Sequence, residues 1–171
     1  MKPELKYGLI AGTGICLWII VEYCLGLHTA HLEIGEYTGY FSNLIPVLTL
    51  FLLLRKKQSA IYDGRLTLGQ GIASGLVASL VSASLVYCFM VIYNNLINPN
   101  WMDYALTAKV AQLRAHGVAE VNIRQQIKFY QQANSPVGLI STTLLGLTVM
   151  GGLISLVLTL ILKFRPPTPR A

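Results

Sequence analysis

The chain has 171 residues, of which 54% are hydrophobic and only 12% charged. A soluble domain carries about a quarter charged residues, so the composition excludes an ordinary water-soluble fold and points to a membrane protein. The net charge of +6 is no nucleic-acid signal, because the basic residues gather where apolar segments end.

A bilayer core of ~30 Å needs about 20 apolar residues in helical form. Four segments qualify as spans: residues 7–27, 37–54, 68–96 and 137–162. The first is expected to be retained. It exceeds the apolar core of a signal peptide, it contains an acid, and no small-x-small cleavage site follows it. That acid, Glu22, is the only Asp or Glu inside a span. It lies five residues before the end of its segment, ~8 Å inside the outer boundary and away from the midplane. An intramembrane acid is a functional candidate by default, and its shallow depth favours a structural role. On span three, Tyr87, Tyr93, Ser79, Ser82 and Ser84 are available as its hydrogen-bond partners.

His28, His31, Glu33 and Glu36 follow Glu22 directly. With Asp103 and His116 they invite a metal reading, but an HxxH spacing alone is weak, and a solvated, pH-sensitive loop is the expectation. Lys2 and Lys6 precede span one. Arg55, Lys56, Lys57 and Arg65 lie between spans two and three, where Asp63-Gly64 marks a turn. Lys163, Arg165 and Arg170 lie in the basic, Pro-rich tail 163–171. These nine face only four on the other side, Lys109, Arg114, Arg124 and Lys128. The positive-inside rule then places both termini in the cytoplasm.

Between spans three and four, residues 101–133 read as two amphipathic helices divided by Gly117, bounded by Asn98-Pro99-Asn100 and Asn134-Ser135-Pro136. This outer segment is expected to cap the bundle at the membrane surface, or to act as a lid for a ligand or partner. The elements predict an all-α fold: an integral membrane bundle of four transmembrane helices in one domain, with an amphipathic helical hairpin in the outer loop.

Helices in lipid meet where small residues permit close approach. Stripes at i, i+4 spacing mark Gly8, Gly12 and Cys16 on span one, Gly71, Gly75, Ser79 and Ala83 on span three, and Gly138, Thr142 and Gly146, then Gly151, Ser155 and Thr159, on span four. They serve packing within the chain or a homodimer seam. Cys16, Cys24 and Cys88 read as small packing residues, with a Cys24–Cys88 disulfide as the alternative.

Taken together, KYGLIAG, DGRLTLGQGIASG, YNNLINPNWM, Gly117 with its amphipathic continuation, and ANSPVGLI form a pattern. It resembles the bacterial membrane proteins grouped as domain-of-unknown-function family 4199, over nearly the whole chain. The resemblance implies a four-span inner-membrane protein with a helical outer segment, and it implies no activity. Family members tend to carry a hydroxyl residue after the glycine that divides the outer helices. Here Val118 stands there, which removes the expected N-cap side chain.

No phosphate loop, dinucleotide turn, GxSxG, HExxH or EF-hand pattern is present. The expectation is a non-enzymatic inner-membrane protein, a structural or accessory module that packs with itself or a membrane-protein partner in the bilayer. No cofactor, metal or nucleic acid is expected. The alternative is a subunit of a small oligomeric transporter or channel that uses Glu22. A lipid-modifying enzyme would need a polar cluster at a membrane face, and the loop between spans two and three offers only Asp63.

Overall fold

The structure is a computed structural model. It describes residues 1–29, 31–61 and 65–163, with Glu33 and Glu36 described in their backbone only. The Asp63-Gly64 turn, the tail beyond Lys163 and the side chains of Glu33 and Glu36 lie outside the described residues. Among those residues the chain is helical, without strands: α1 (Pro3–Cys24), α2 (Leu32–Thr38), α3 (Leu44–Ala60), α4 (Leu68–Ile92), α5 (Trp101–Ala115), α6 (Glu120–Ala133), α7 (Pro136–Leu139) and α8 (Gly146–Lys163). A 3₁₀ stretch, Gly39–Asn43, joins α2 to α3, and π-helical segments cover Tyr93–Ile97 and Ile140–Leu145.

Three helical runs are long and apolar enough to cross a membrane: Pro3–Cys24, Leu68–Ile97 and Pro136–Lys163. The segment expected as span two is built differently. Its apolar part forms the 3₁₀ stretch and α3, and α3 runs on through Arg55, Lys56 and Lys57 to Ala60. The extension has a cause in packing. Lys57 is 7% exposed, pairs with Glu4 of α1, and donates to Ser74 Oγ of α4 at 2.7 Å. Gln58 Nε2 donates to the Leu162 carbonyl of α8 at 3.2 Å. These bonds tie the end of α3 to all three long helices.

α4 is the axis of the bundle. It opens with a reciprocal cap: Thr67 Oγ1 accepts from Gln70 N–H at 3.3 Å, and Thr67 N–H donates to Gln70 Oε1 at 3.1 Å. One face receives α1. A Cβ on Gly8 would stand 2.5 Å from the Ala78 carbonyl oxygen, and one on Gly12 3.1 Å from that of Ser82. The other face receives α8 antiparallel, with Gly71 against Thr159, Gly75 against Ser155, and Ser79 against Gly151, each pair overlapping if the glycine gained a Cβ. Ala83 on α4 is fully buried. Gly138 and Gly146 take no part in these crossings. A Cβ on Gly138 would run into the carbonyl of Gln132, and Gly146 has only Ser141 O nearby, at 3.8 Å. The π segment between them adds a residue to the turn, so the two do not continue one stripe.

The distribution of size is inverted relative to a soluble protein. Ser155 and Thr159 are fully buried, while Leu17, Leu80 and Val157 are more than half exposed. Small groups inside and large apolar groups outside suit a lipid solvent, which gives helices little hydrophobic reason to associate. Cys24 and Cys88 also face outward rather than packing inside, and all three cysteines are free thiols.

Gly75→Leu is expected to force α4 from α8 and cost about 1–3 kcal/mol. Gly69→Ala, where no atom lies within 4 Å of the added Cβ, should leave stability unchanged or slightly raised. Thermal unfolding of both variants in one detergent checks this; a wild-type midpoint for Gly75→Leu would refute the seam.

Candidate functional site

α1 ends at Cys24, three residues earlier than the apolar run suggests. Gly26 adopts φ +73°, a left-handed conformation that glycine takes without strain. Gly26 N–H then donates to the Tyr23 carbonyl at 3.0 Å and Leu27 N–H to the Glu22 carbonyl at 2.9 Å, the double bond of a helix C-terminus closed by glycine. The closure folds the next residues back over α1 and brings His28 above Glu22.

Glu22 is 3% exposed. Its Oε2 lies 3.4 Å from His28 Nε2, and His28 Nδ1 lies 2.6 Å from Tyr93 Oη. Asn98 Nδ2 donates to the same Tyr93 oxygen at 3.2 Å. Tyr93 has one proton to give, so the chain of bonds orders itself: Asn98 donates to Tyr93, Tyr93 to His28 Nδ1, and His28 Nε2–H points at Glu22. Tyr23 closes the cluster, donating to the Ile97 carbonyl at 3.3 Å with its ring edge-on to that of Tyr93. The π segment makes this possible. Asn98 N–H reaches the Tyr93 carbonyl at 2.8 Å, five residues back, which sets Asn98 beside the Tyr93 ring. Such segments recur at functional sites.

Burial holds the His28 imidazole below its ordinary pKa, and the Glu22 carboxyl beside it pulls the other way. Glu22 Oε1 is buried without a hydrogen-bond partner.

His28 and Tyr93 also face a chamber of about 920 Å³ between the bundle and the α5–α6 pair. Trp101 Nε1 donates to Asn94 Oδ1 at 2.7 Å and anchors the start of α5 to the π segment. At the far end of α5, Gly117 has φ +70° and Val118 N–H donates to the Leu113 carbonyl at 3.0 Å, which turns the chain into α6. Ala119 begins α6 without a side-chain cap, and Arg114 Nε bridges to Glu120 at 2.8 Å across the turn. α5 and α6 pack on each other, and α5 arches over the chamber.

Of the residues singled out from the sequence, Glu22, His28 and Tyr93 meet. His31 and His116 are exposed, and His116 Nδ1 contacts the Gln112 carbonyl at 2.7 Å. Among the described residues, no three His, Cys, Asp or Glu side chains gather as a metal site. In the sequence, Asn98 shows only as a helix breaker. Its role depends on a π turn, which composition does not reveal.

A family model described as "Protein of unknown function (DUF4199)" matches residues 6–163. No curated protein and no solved structure matches the chain.

Tyr93→Phe removes the hydroxyl shared by His28 and Asn98 and is expected to cost about 1–3 kcal/mol, read by thermal unfolding. The pH dependence has a defined sign. The folded His28 pKa lies below the unfolded value, so the unfolded chain protonates first, and stability falls as pH drops below ~6.5. Melting at pH 7 and pH 5 should show a larger acid-induced decrease in wild type than in His28→Gln; equal decreases would remove His28 from the effect.

Proposed function

The chain belongs to the DUF4199 family of proteins of unknown function, and we propose that it is a non-enzymatic, four-pass protein of the bacterial inner membrane. In this reading it is a compact structural or accessory module that packs with a second copy or a membrane-protein partner. Both termini lie in the cytoplasm, and the Glu22 end of the bundle with α5 and α6 faces outward.

The 3₁₀ stretch and α3 supply the fourth crossing. Their uncharged part, 39–54, covers about 24 Å at the α-helical rise, so this crossing is shorter than a hydrocarbon core of ~30 Å and calls for local thinning of the bilayer. The nine basic residues on the Lys57 side support the orientation.

The observation that carries the reading is the close packing of small residues along α4, where a Cβ on Gly8, Gly71 or Gly75 would overlap the facing helix. The pocket beside Ser79, Ser82 and Gly151 holds about 30 Å³, room for one or two waters. A second reading, a subunit of an oligomeric transporter or channel, is favoured by one feature: the buried, unpartnered Oε1 of Glu22.

Two experiments test this. With the native cysteines replaced by alanine, Gln125→Cys should react with a membrane-impermeant maleimide in intact cells, and Ser59→Cys only after permeabilisation. The reverse pattern would invert the topology. Liposomes reconstituted with the pure protein should show no proton flux above empty vesicles. A flux that Glu22→Gln abolishes would replace the structural reading with the transport one.

A further inference from the structure

A serine or threonine inside a helix can donate back to the carbonyl one turn earlier. Ser74 does so to the Gln70 carbonyl at 2.7 Å, Ser84 to that of Leu80 at 2.8 Å, and Thr159 to that of Ser155 at 2.6 Å. Ser79 and Ser82 of α4 do not. Both are buried, at 6% and 5% exposure, and neither hydroxyl has a hydrogen-bond partner among the described residues. A buried hydroxyl left unpaired is costly, so both donors call for another acceptor. The two serines line the same small pocket, about 30 Å³ where α1, α3, α4 and α8 meet. Thr49 of α3 lines it as well, and so does Asn43 at the start of that helix. The level of Thr49 follows from the bond between Lys57 and Ser74. About two turns from that bond along each helix, Thr49 and Ser82 stand opposite each other.

We infer that this pocket is a binding site for ordered water, which joins α3 to α4 midway along the bundle. A water needs about 10–15 Å³ of such space and two to four polar partners. The pocket supplies the space, and its donors and acceptors match. Ser79 and Ser82 donate to the water. Thr49 Oγ1 already donates to the Ile45 carbonyl at 2.8 Å, so towards the pocket it only accepts. The water donates to it and, at the α3 end, to the Asn43 amide oxygen. A hydrogen bond made through water is nearly as good as a direct one, so the four groups are satisfied together. Ser155 provides the contrast. Its hydroxyl is also buried without a partner, but it packs against Gly75 and lies outside the pocket lining. The inference holds in either orientation of the bundle and does not depend on the Glu22 cluster.

Ala78 provides the test. It is 2% exposed and lines the pocket, so its methyl group reports on what fills the space. The full chain is purified in detergent micelles, and nuclear Overhauser effects from water and from detergent chains to the protein are recorded. A water cross-peak is expected at the Ala78 methyl. None is expected at Ala83, which is fully buried on the same helix outside the pocket lining. The Gly75 α-protons, against the Ser155 hydroxyl, control for signals relayed by hydroxyl exchange and should also stay silent. Ser79→Ala with Ser82→Ala should abolish the Ala78 cross-peak. Alanine keeps position 79 small enough for the seam with Gly151, so helix content should be unchanged. The wild-type comparison decides the question even if the double variant fails to fold. Absence of the Ala78 water peak, a detergent-chain peak in its place, equal peaks at Gly75 or Ala83, or a peak that survives the double substitution would each overturn the site.

Discussion

Close approach along α4 is the constraint on which the rest of the structure depends. In lipid, apolar side chains gain nothing by leaving their surroundings for one another, so helices associate through contact, hydrogen bonds and shape. α4 carries small residues on two faces, Ala78 and Ser82 for the glycines of α1, and Gly71, Gly75 and Ser79 for α8. Neither neighbour can rotate without bringing a larger side chain into the seam. α3 then has one place left, against the groove between α1 and α8, where Leu50, Leu53 and Leu54 are buried.

Polar side chains fix what shape alone leaves free. At one end, Lys57 and Gln58 reach α1, α4 and α8 from the last turn of α3. At the other, Glu22, His28, Tyr93 and Asn98 join the end of α1, its following loop and the π-helical end of α4. Both clusters lie at helix ends, while the middle of the bundle is sealed by glycine, alanine and hydroxyl side chains. This division explains why Glu22 can be buried in a chain with few charges. It has a specific neighbour in His28, supplied by the turn at Gly26. A buried polar group that keeps one oxygen unpartnered carries a cost, and such a site is among the first to respond to a change in its surroundings.

The parts legible in the sequence were those set by local chemistry. The stripes on α4 and at Gly151, Ser155 and Thr159 could be read from spacing, as could the breaks at Gly117 and at Asn134-Ser135-Pro136. Which stripe meets which was not legible, because small-residue spacing carries no address. Lys57 looked like a topological flank, since basic residues after an apolar run usually are; its burial depends on Glu4, more than fifty positions away. The Glu22 cluster was half visible. The acid stood out by its rarity, and Tyr93 was in reach on span three, but the connection through His28 requires both the left-handed turn at Gly26 and the π segment. Neither leaves a compositional trace. The chamber was hidden for a related reason: an amphipathic helix over a membrane protein reads as a surface element, and only the arch of α5 encloses space beneath it.

The position of α4 between two partners has a consequence for biogenesis. The chain is made from its N-terminus, so the glycine face of α1 enters the membrane before its counterpart exists, and α4 arrives with one face satisfied and the other bare. The groove at Gly71, Gly75 and Ser79 stays open to lipid until α8 is delivered past the whole α5–α6 segment. A chain stalled before Pro136 therefore displays an unfilled small-residue groove.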